Sequence, residues 1–160
     1  MNKEVQHIIT SLKEVLDGSP WYGLPMYKAL NDVEPACVFM NPDEKGHSLI
    51  ELLYHVLTWA QFTLNRMEDP DSSVAWFDGE GDWREINPMV NTWKNGLAEL
   101  KSTHERIIKV LEAKDDSFLE APVKSREYNM GYMLRGLVQH NIYHLGQMIY
   151  VKKLLGEGSC

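Results

Sequence analysis

Gly136-Leu137-Val138-Gln139-His140-Asn141-Ile142-Tyr143-His144-Leu145-Gly146-Gln147 is the stretch from which this chain is best read. Its apolar residues, continued by Met133, Leu134, Met148 and Ile149, recur every three or four positions. That is the period of an α-helix packed on a core. The same period puts His140 and His144 one turn apart on one face, with Gln147 a turn further on. Imidazole is largely unprotonated near neutral pH and is the commonest metal-binding side chain. Two of them on a rigid helix make half of a preformed metal site. The spacing alone is a weak signal, so a third ligand has to come from elsewhere in the chain.

Working outward, this helix is predicted from about Met130 to Leu155. Gly156 stops it, and Lys152 and Lys153 suit the negative end of its dipole. Upstream, Ser48-Leu49-Ile50-Glu51 has the form of a capping box, with Ser48 as N-cap and Glu51 three residues in. It opens a helix carrying Leu49, Leu52, Leu53, Val56, Leu57, Ala60 and Leu64, which runs to about Met67 before Asp69-Pro70-Asp71 ends it. Similar patterning predicts helices over residues 3–17, stopped at Gly18, and from about Pro88 to Ala113. A short helix over 25–33, with Pro25 in its first turn, is expected to cap the bundle. The connections are polar: 69–86, dotted with Trp76, Phe77 and Trp83, and 114–129. A loop as long as the first usually covers a site or crosses the molecule. There is no internal repeat and no strand-like alternation. The fold class is therefore all-α: a four-helix bundle with a long crossover connection and one short extra helix, in a single domain spanning 1–160.

Composition narrows the partners. The 160 residues are 44% hydrophobic and 24% charged, and the formal net charge is −7. An acidic chain without a basic run is a poor match for nucleic acid or an anionic membrane. No apolar run is long enough to span a bilayer, and the residues after Met1 hold no signal-like apolar stretch. The two cysteines, Cys37 and Cys160, are too few for a disulfide framework and read as free thiols, which points to a cytoplasmic location.

His55 is the candidate third ligand, against the alternative of a packed core histidine with one satisfied nitrogen. It sits two turns inside the capped helix, on its apolar side. Facing bundle helices lie about 8–10 Å apart, and inward side chains from two of them can share one ion. Three imidazoles with a position left open is the arrangement of a catalytic or exchangeable site, whereas structural zinc is closed by four ligands. An ordinary imidazole titrates near about 6.5, so such an ion is expected to be released as pH falls toward about 5. His47 lies outside the helix cap, and His7 and His104, next to acidic residues, are expected on the surface.

Gly46-His47-Ser48-Leu49-Ile50-Glu51-Leu52-Leu53-Tyr54-His55-Val56, taken with the 136–148 stretch and Pro20-Trp21-Tyr22-Gly23-Leu24-Pro25, resembles the DinB-like (DNA-damage-inducible) superfamily of metal-dependent enzymes. The resemblance covers nearly the whole chain. It implies a four-helix bundle with a long crossover and a divalent metal, zinc or nickel, on His55, His140 and His144. It also implies that a homodimer is common. In some relatives it implies transferase or isomerase chemistry that uses low-molecular-weight thiols such as bacillithiol or mycothiol. The family's name carries no implication that this chain binds DNA.

Several neighbours of the three histidines have two readings each. Glu51 is either the capping carboxylate or a base near the ion. Gln147 either hydrogen-bonds a ligating ring or a metal-bound water, or bonds to backbone within the bundle. Tyr143 either donates to a substrate or simply packs, and Trp59 is pocket wall or core. Gly146 is expected to permit close helix approach. The aromatics of 69–86 either wall a substrate pocket or hold the loop onto the bundle. Two function classes follow, against a third reading, a purely structural bundle in which the three inward histidines are coincidental. One is a metal-dependent enzyme acting on a small-molecule substrate, as a thiol-dependent S-transferase or a hydrolase, with Glu51 and Gln147 as catalytic candidates. The other is a non-catalytic metal-dependent binding or stress-response module.

Overall fold

The computed structural model describes residues 2–156. Its helices are α1 (Lys3–Asp17), α2 (Met26–Asn31), α3 (Leu49–Glu68), α4 (Trp93–Glu112) and α5 (Met130–Leu155), with a 3-10 turn at Asp116–Glu120. Among the described residues the only β pairing is an isolated bridge between Pro122 and Asn129. Among the described residues no helix is long and apolar enough to cross a membrane.

The four long helices form an all-α bundle. α3 packs on α4 and α5, and α1 packs on the same two, so α1 and α3 stand on one diagonal and α4 and α5 on the other. The chain crosses the bundle twice, from α1 through α2 to α3 and from α4 through the 3-10 turn to α5. The long 69–92 connection joins the neighbours α3 and α4, and its task is to cover rather than to cross.

Local chemistry sets these elements. α3 opens with a complete capping box: Glu51 Oε2 accepts from Ser48 N at 2.7 Å, and Ser48 Oγ accepts from Glu51 N at 3.4 Å. Asn129 starts α5 by accepting from Tyr132 N at 2.9 Å. α3 is apolar almost all round because α4, α5 and the 69–92 connection cover it on several sides. Gly96 lets α4 approach α3, since a Cβ there would lie 2.9 Å from both Leu53 Cδ2 and Tyr54 Cε2.

Three expectations need correction. α4 begins at Trp93 and not near Pro88, because the two asparagines of the preceding turn take up main-chain groups. Asn91 Oδ1 accepts from Asn87 N at 2.8 Å and Asn87 Oδ1 from Met89 N at 3.0 Å, leaving Thr92 as the N-cap. His104 is not a surface residue: it is 1% exposed, in line with Leu100, Ile107 and Leu111 on the core face of α4. Its Nδ1 lies 2.9 Å from Tyr27 Oη and its Nε2 lies 3.0 Å from Asn141 Nδ2, so a polar chain runs across the core from α2 to α5. Cys37 is buried and disulfide-bonded rather than a free thiol, which removes its support for a reducing compartment. Cys160 lies outside the described residues.

Candidate metal centre

α3 presents His55 toward α5, and α5 presents His140 and His144 toward α3. Each offers one ring nitrogen to a common point, and these atoms lie within 4.8 Å of one another. His55 Nε2 is 3.1 Å from His140 Nε2 and 3.1 Å from His144 Nε2. His55 and His144 are buried, and His140 is half-buried.

The outer nitrogens decide what the inner ones are. His55 Nδ1 lies 2.9 Å from the main-chain carbonyl of Asp82, which can only accept, so Nδ1 carries the proton and Nε2 is a bare lone pair. His144 Nδ1 lies 2.6 Å from Gln147 Oε1, which fixes its tautomer in the same way. Two bare nitrogens 3.1 Å apart cannot hydrogen-bond to each other. They need a proton or a cation between them. Protons are disfavoured: burial, then the charges of His144 and His55, push His140 down to about 3. Burial and then His55 push His144 down to about 4, and burial lowers His55. A divalent ion fits, because bonds of about 2.0–2.1 Å in a tetrahedral arrangement hold ligand nitrogens about 3.3–3.4 Å apart. No Cys, Asp, Glu or further His joins this group among the described residues.

The 69–92 connection is pinned over the cluster from α3. Buried Arg66 donates to the carbonyls of Pro70 at 2.9 Å and Ser72 at 2.8 Å. Thr58 Oγ1 donates to the carbonyl of Gly81 at 2.8 Å. Gly81 is required where it stands, since a Cβ there would meet Trp76 O at 2.7 Å. Asp82 follows, its carboxylate 3.2 Å from His55 Nδ1 and accepting from Trp59 Nε1 at 2.8 Å. Trp83 then stacks between two imidazoles, 3.9 Å from the His55 ring and 3.8 Å from the His47 ring.

A family model described as the DinB superfamily matches residues 26–148. The chain belongs to the DinB superfamily. Comparison with individually curated proteins finds no match. The matched span takes in α3, the part of α5 up to Met148 and all three histidines, and metal binding, the property for which the DinB superfamily is known, agrees with a cluster that could hold an ion.

The other candidates divide. Gln147 reaches a ligand-set ring, as one of its readings has it. Glu51 is engaged by Ser48, whose N and Oγ donate to its Oε2 at 2.7 and 2.6 Å, and it does not join the cluster. Tyr143 is exposed, its ring edge-on to His144 at 4.9 Å. Gly146 faces open space and makes no close helix contact. Phe77 holds the loop to the bundle through Phe62, 5.4 Å between rings. Sequence reasoning missed Asp82 and the stacking role of His47. Asp82 acts on His55 partly through its carbonyl, which every residue possesses, so only its position between Gly81 and Trp83 marked it.

Proposed function

We propose that His55, His140 and His144 hold one divalent ion, zinc or nickel, and that the protein is a metal-dependent enzyme of the thiol S-transferase or hydrolase type. The observation that carries this reading is the meeting of the bare Nε2 atoms of His55 and His144 at 3.1 Å, with His140 Nε2 also 3.1 Å from His55 Nε2, in a cluster whose rings resist protonation. When bound, such an ion supplies the positive charge that makes a small thiol or a water nucleophilic at neutral pH. The residues around it have separable tasks. Asp82 and Gln147 orient two of the rings and hold their tautomers. Burial keeps the rings neutral, and Trp83 shields His55 from solvent. With three ligands from the chain, a coordination position is left for an exogenous group. Soft thiolate suits zinc or nickel, and no cysteine among the described residues joins the cluster. Assistance by Glu51 requires its carboxylate to leave the capping box, so Gln147 is the stronger candidate.

The test begins with metal content. The purified protein is expected to carry one zinc or nickel per chain, and His140→Ala to lose it. Unchanged stoichiometry and affinity in His140→Ala contradicts the ligand set. Cobalt-loaded protein titrated with a small thiol is then expected to develop a sulfur-to-metal charge-transfer band, absent in His144→Ala. A cobalt spectrum indifferent to every thiol tried removes thiol transfer and leaves hydrolysis or the non-catalytic binding module.

A further inference from the structure

Beside His140, between α3 and α5, lies a slot of about 180 Å³. Its walls are two aromatic pairs. Trp59 and Phe62 meet edge to face at 5.3 Å on α3, and Tyr128 and Tyr132 lie 5.2 Å apart across the start of α5. Leu137 and His140 complete the lining on the cluster side. No Asp, Glu, Lys or Arg lines it. Its one aliphatic hydroxyl, Thr63 Oγ1, is spent on the carbonyl of Trp59 at 2.9 Å. Larger clefts, of about 430, 360 and 310 Å³, are lined instead by charged residues: Lys13, Glu14 and Asp17 in the first, Arg84 and Glu85 in the second, Asp43 in the third.

One position in its lining is a glycine. Gly136 stands in its lining, and a Cβ built there would meet nothing within 4 Å. Alanine would be the better helix former at that position by about 1 kcal/mol. Glycine there leaves room for something that the chain itself does not supply. An apolar cavity of about 150 Å³ is enough to take benzene, so this one is the size of a single ring. Four of the residues lining it are aromatic, and ring surfaces suit a flat apolar guest through offset or edge contacts better than a branched aliphatic one.

We propose that this slot binds the aryl group of a small aromatic substrate, placing its substituent next to His140. This rests on the metal reading only for where the reacting atom lies; the binding of the ring does not depend on it. The two parts can fail separately.

Benzyl alcohol is the probe and glycerol the control, read by saturation-transfer NMR on the full chain with and without metal. Benzyl alcohol is expected to receive saturation and glycerol none. Gly136→Leu, which fills the slot, is expected to weaken benzyl alcohol binding at least tenfold with metal content unchanged. Gly146→Leu, on the same helix but facing open space, is expected to leave it unchanged. Tyr132→Ala removes a wall residue that is 66% exposed, without stressing the core, and is expected to weaken binding several-fold. Cobalt in place of zinc is expected to speed relaxation of the ring protons. No saturation transfer to benzyl alcohol, or equal binding by the Gly136→Leu and Gly146→Leu proteins, overturns the slot. Binding without cobalt-enhanced relaxation overturns its placement beside the ion. Failure to load cobalt at all counts against the metal reading, while the saturation data still decide the slot.

Discussion

At the scale of the residue, the three histidines are not held equally. His144 depends on one side-chain contact, Gln147 Oε1 at 2.6 Å, whereas His55 rests on the main-chain carbonyl of Asp82 as well as its carboxylate. His140 Nδ1 is buried with no partner among the described residues. Removing the group that orients a ligand usually costs about 10- to 100-fold in metal affinity. Gln147→Ala is therefore expected to lose that much in a competitive chelator titration. Asp82→Ala is expected to lose less, because its carbonyl stays. Equal losses would show that the carboxylate and not the carbonyl holds His55. Burial also changes the pH at which the ion leaves. With His140 near 3 and His144 near 4, proton competition sets in below the value near about 6.5 typical of a free imidazole. Zinc affinity measured between pH 5 and 7 is expected to fall less steeply than for three ordinary histidines. The convergence of the three histidines was legible because two residues four apart and one on a capped helix obey helical geometry. His104 was misread from its charged neighbours, although Leu100, His104, Ile107 and Leu111 keep the same period.

At the scale of the element, helix starts were most legible where a side chain closes on its own backbone. Ser48 with Glu51 fixed the first residue of α3, and α1 and α5 likewise span the predicted stretches. The start of α4 was not legible in the same way. Pro88 is a good helix opener by composition, but Asn87 and Asn91 offered main-chain groups a competing turn. Nor could periodicity show that α1 and α3 are diagonal partners, since both have apolar faces wide enough for either arrangement. The capping box yields a prediction that separates folding from the site. Ser48→Ala removes the acceptor for Glu51 N and the hydroxyl that donates to the Glu51 carboxylate, leaving only the residue-48 N–H to hold it. It is expected to cost about 1 kcal/mol in chemical denaturation. His55 lies two turns inside α3, beyond the frayed end, so metal stoichiometry is expected to stay the same. Loss of metal in Ser48→Ala would tie Glu51 to the ion and restore it as a functional carboxylate.

At the scale of the whole molecule, the core carries a polar chain as well as an apolar one, and the two respond differently to acid. Tyr27, His104 and Asn141 link α2, α4 and α5 across the diagonal that apolar packing between α4 and α5 does not bridge. His104 is fully enclosed, and burial pushes it down to about 4. In the unfolded chain the same ring titrates near about 6.5. Between those values the unfolded state holds a proton that the folded state refuses, so stability rises with pH. The contribution is complete above about pH 6.5 and is lost as pH falls toward about 4. His55, His140 and His144 shift in the same direction, so the metal-free protein is expected to weaken steeply across this window. His104→Gln isolates one part of that response. The absolute stability of the variant is expected to drop, because Tyr27 and Asn141 lose a partner; the informative quantity is the slope. One proton corresponds to about 1.4 kcal/mol per pH unit. Urea denaturation of metal-free protein at several pH values between 4 and 6.5 is therefore expected to give a slope smaller by about that amount in His104→Gln than in the parent. An unchanged slope would mean that His104 is protonated in the folded core, with Tyr27 or Asn141 serving as acceptor, and would overturn the neutral chain described here.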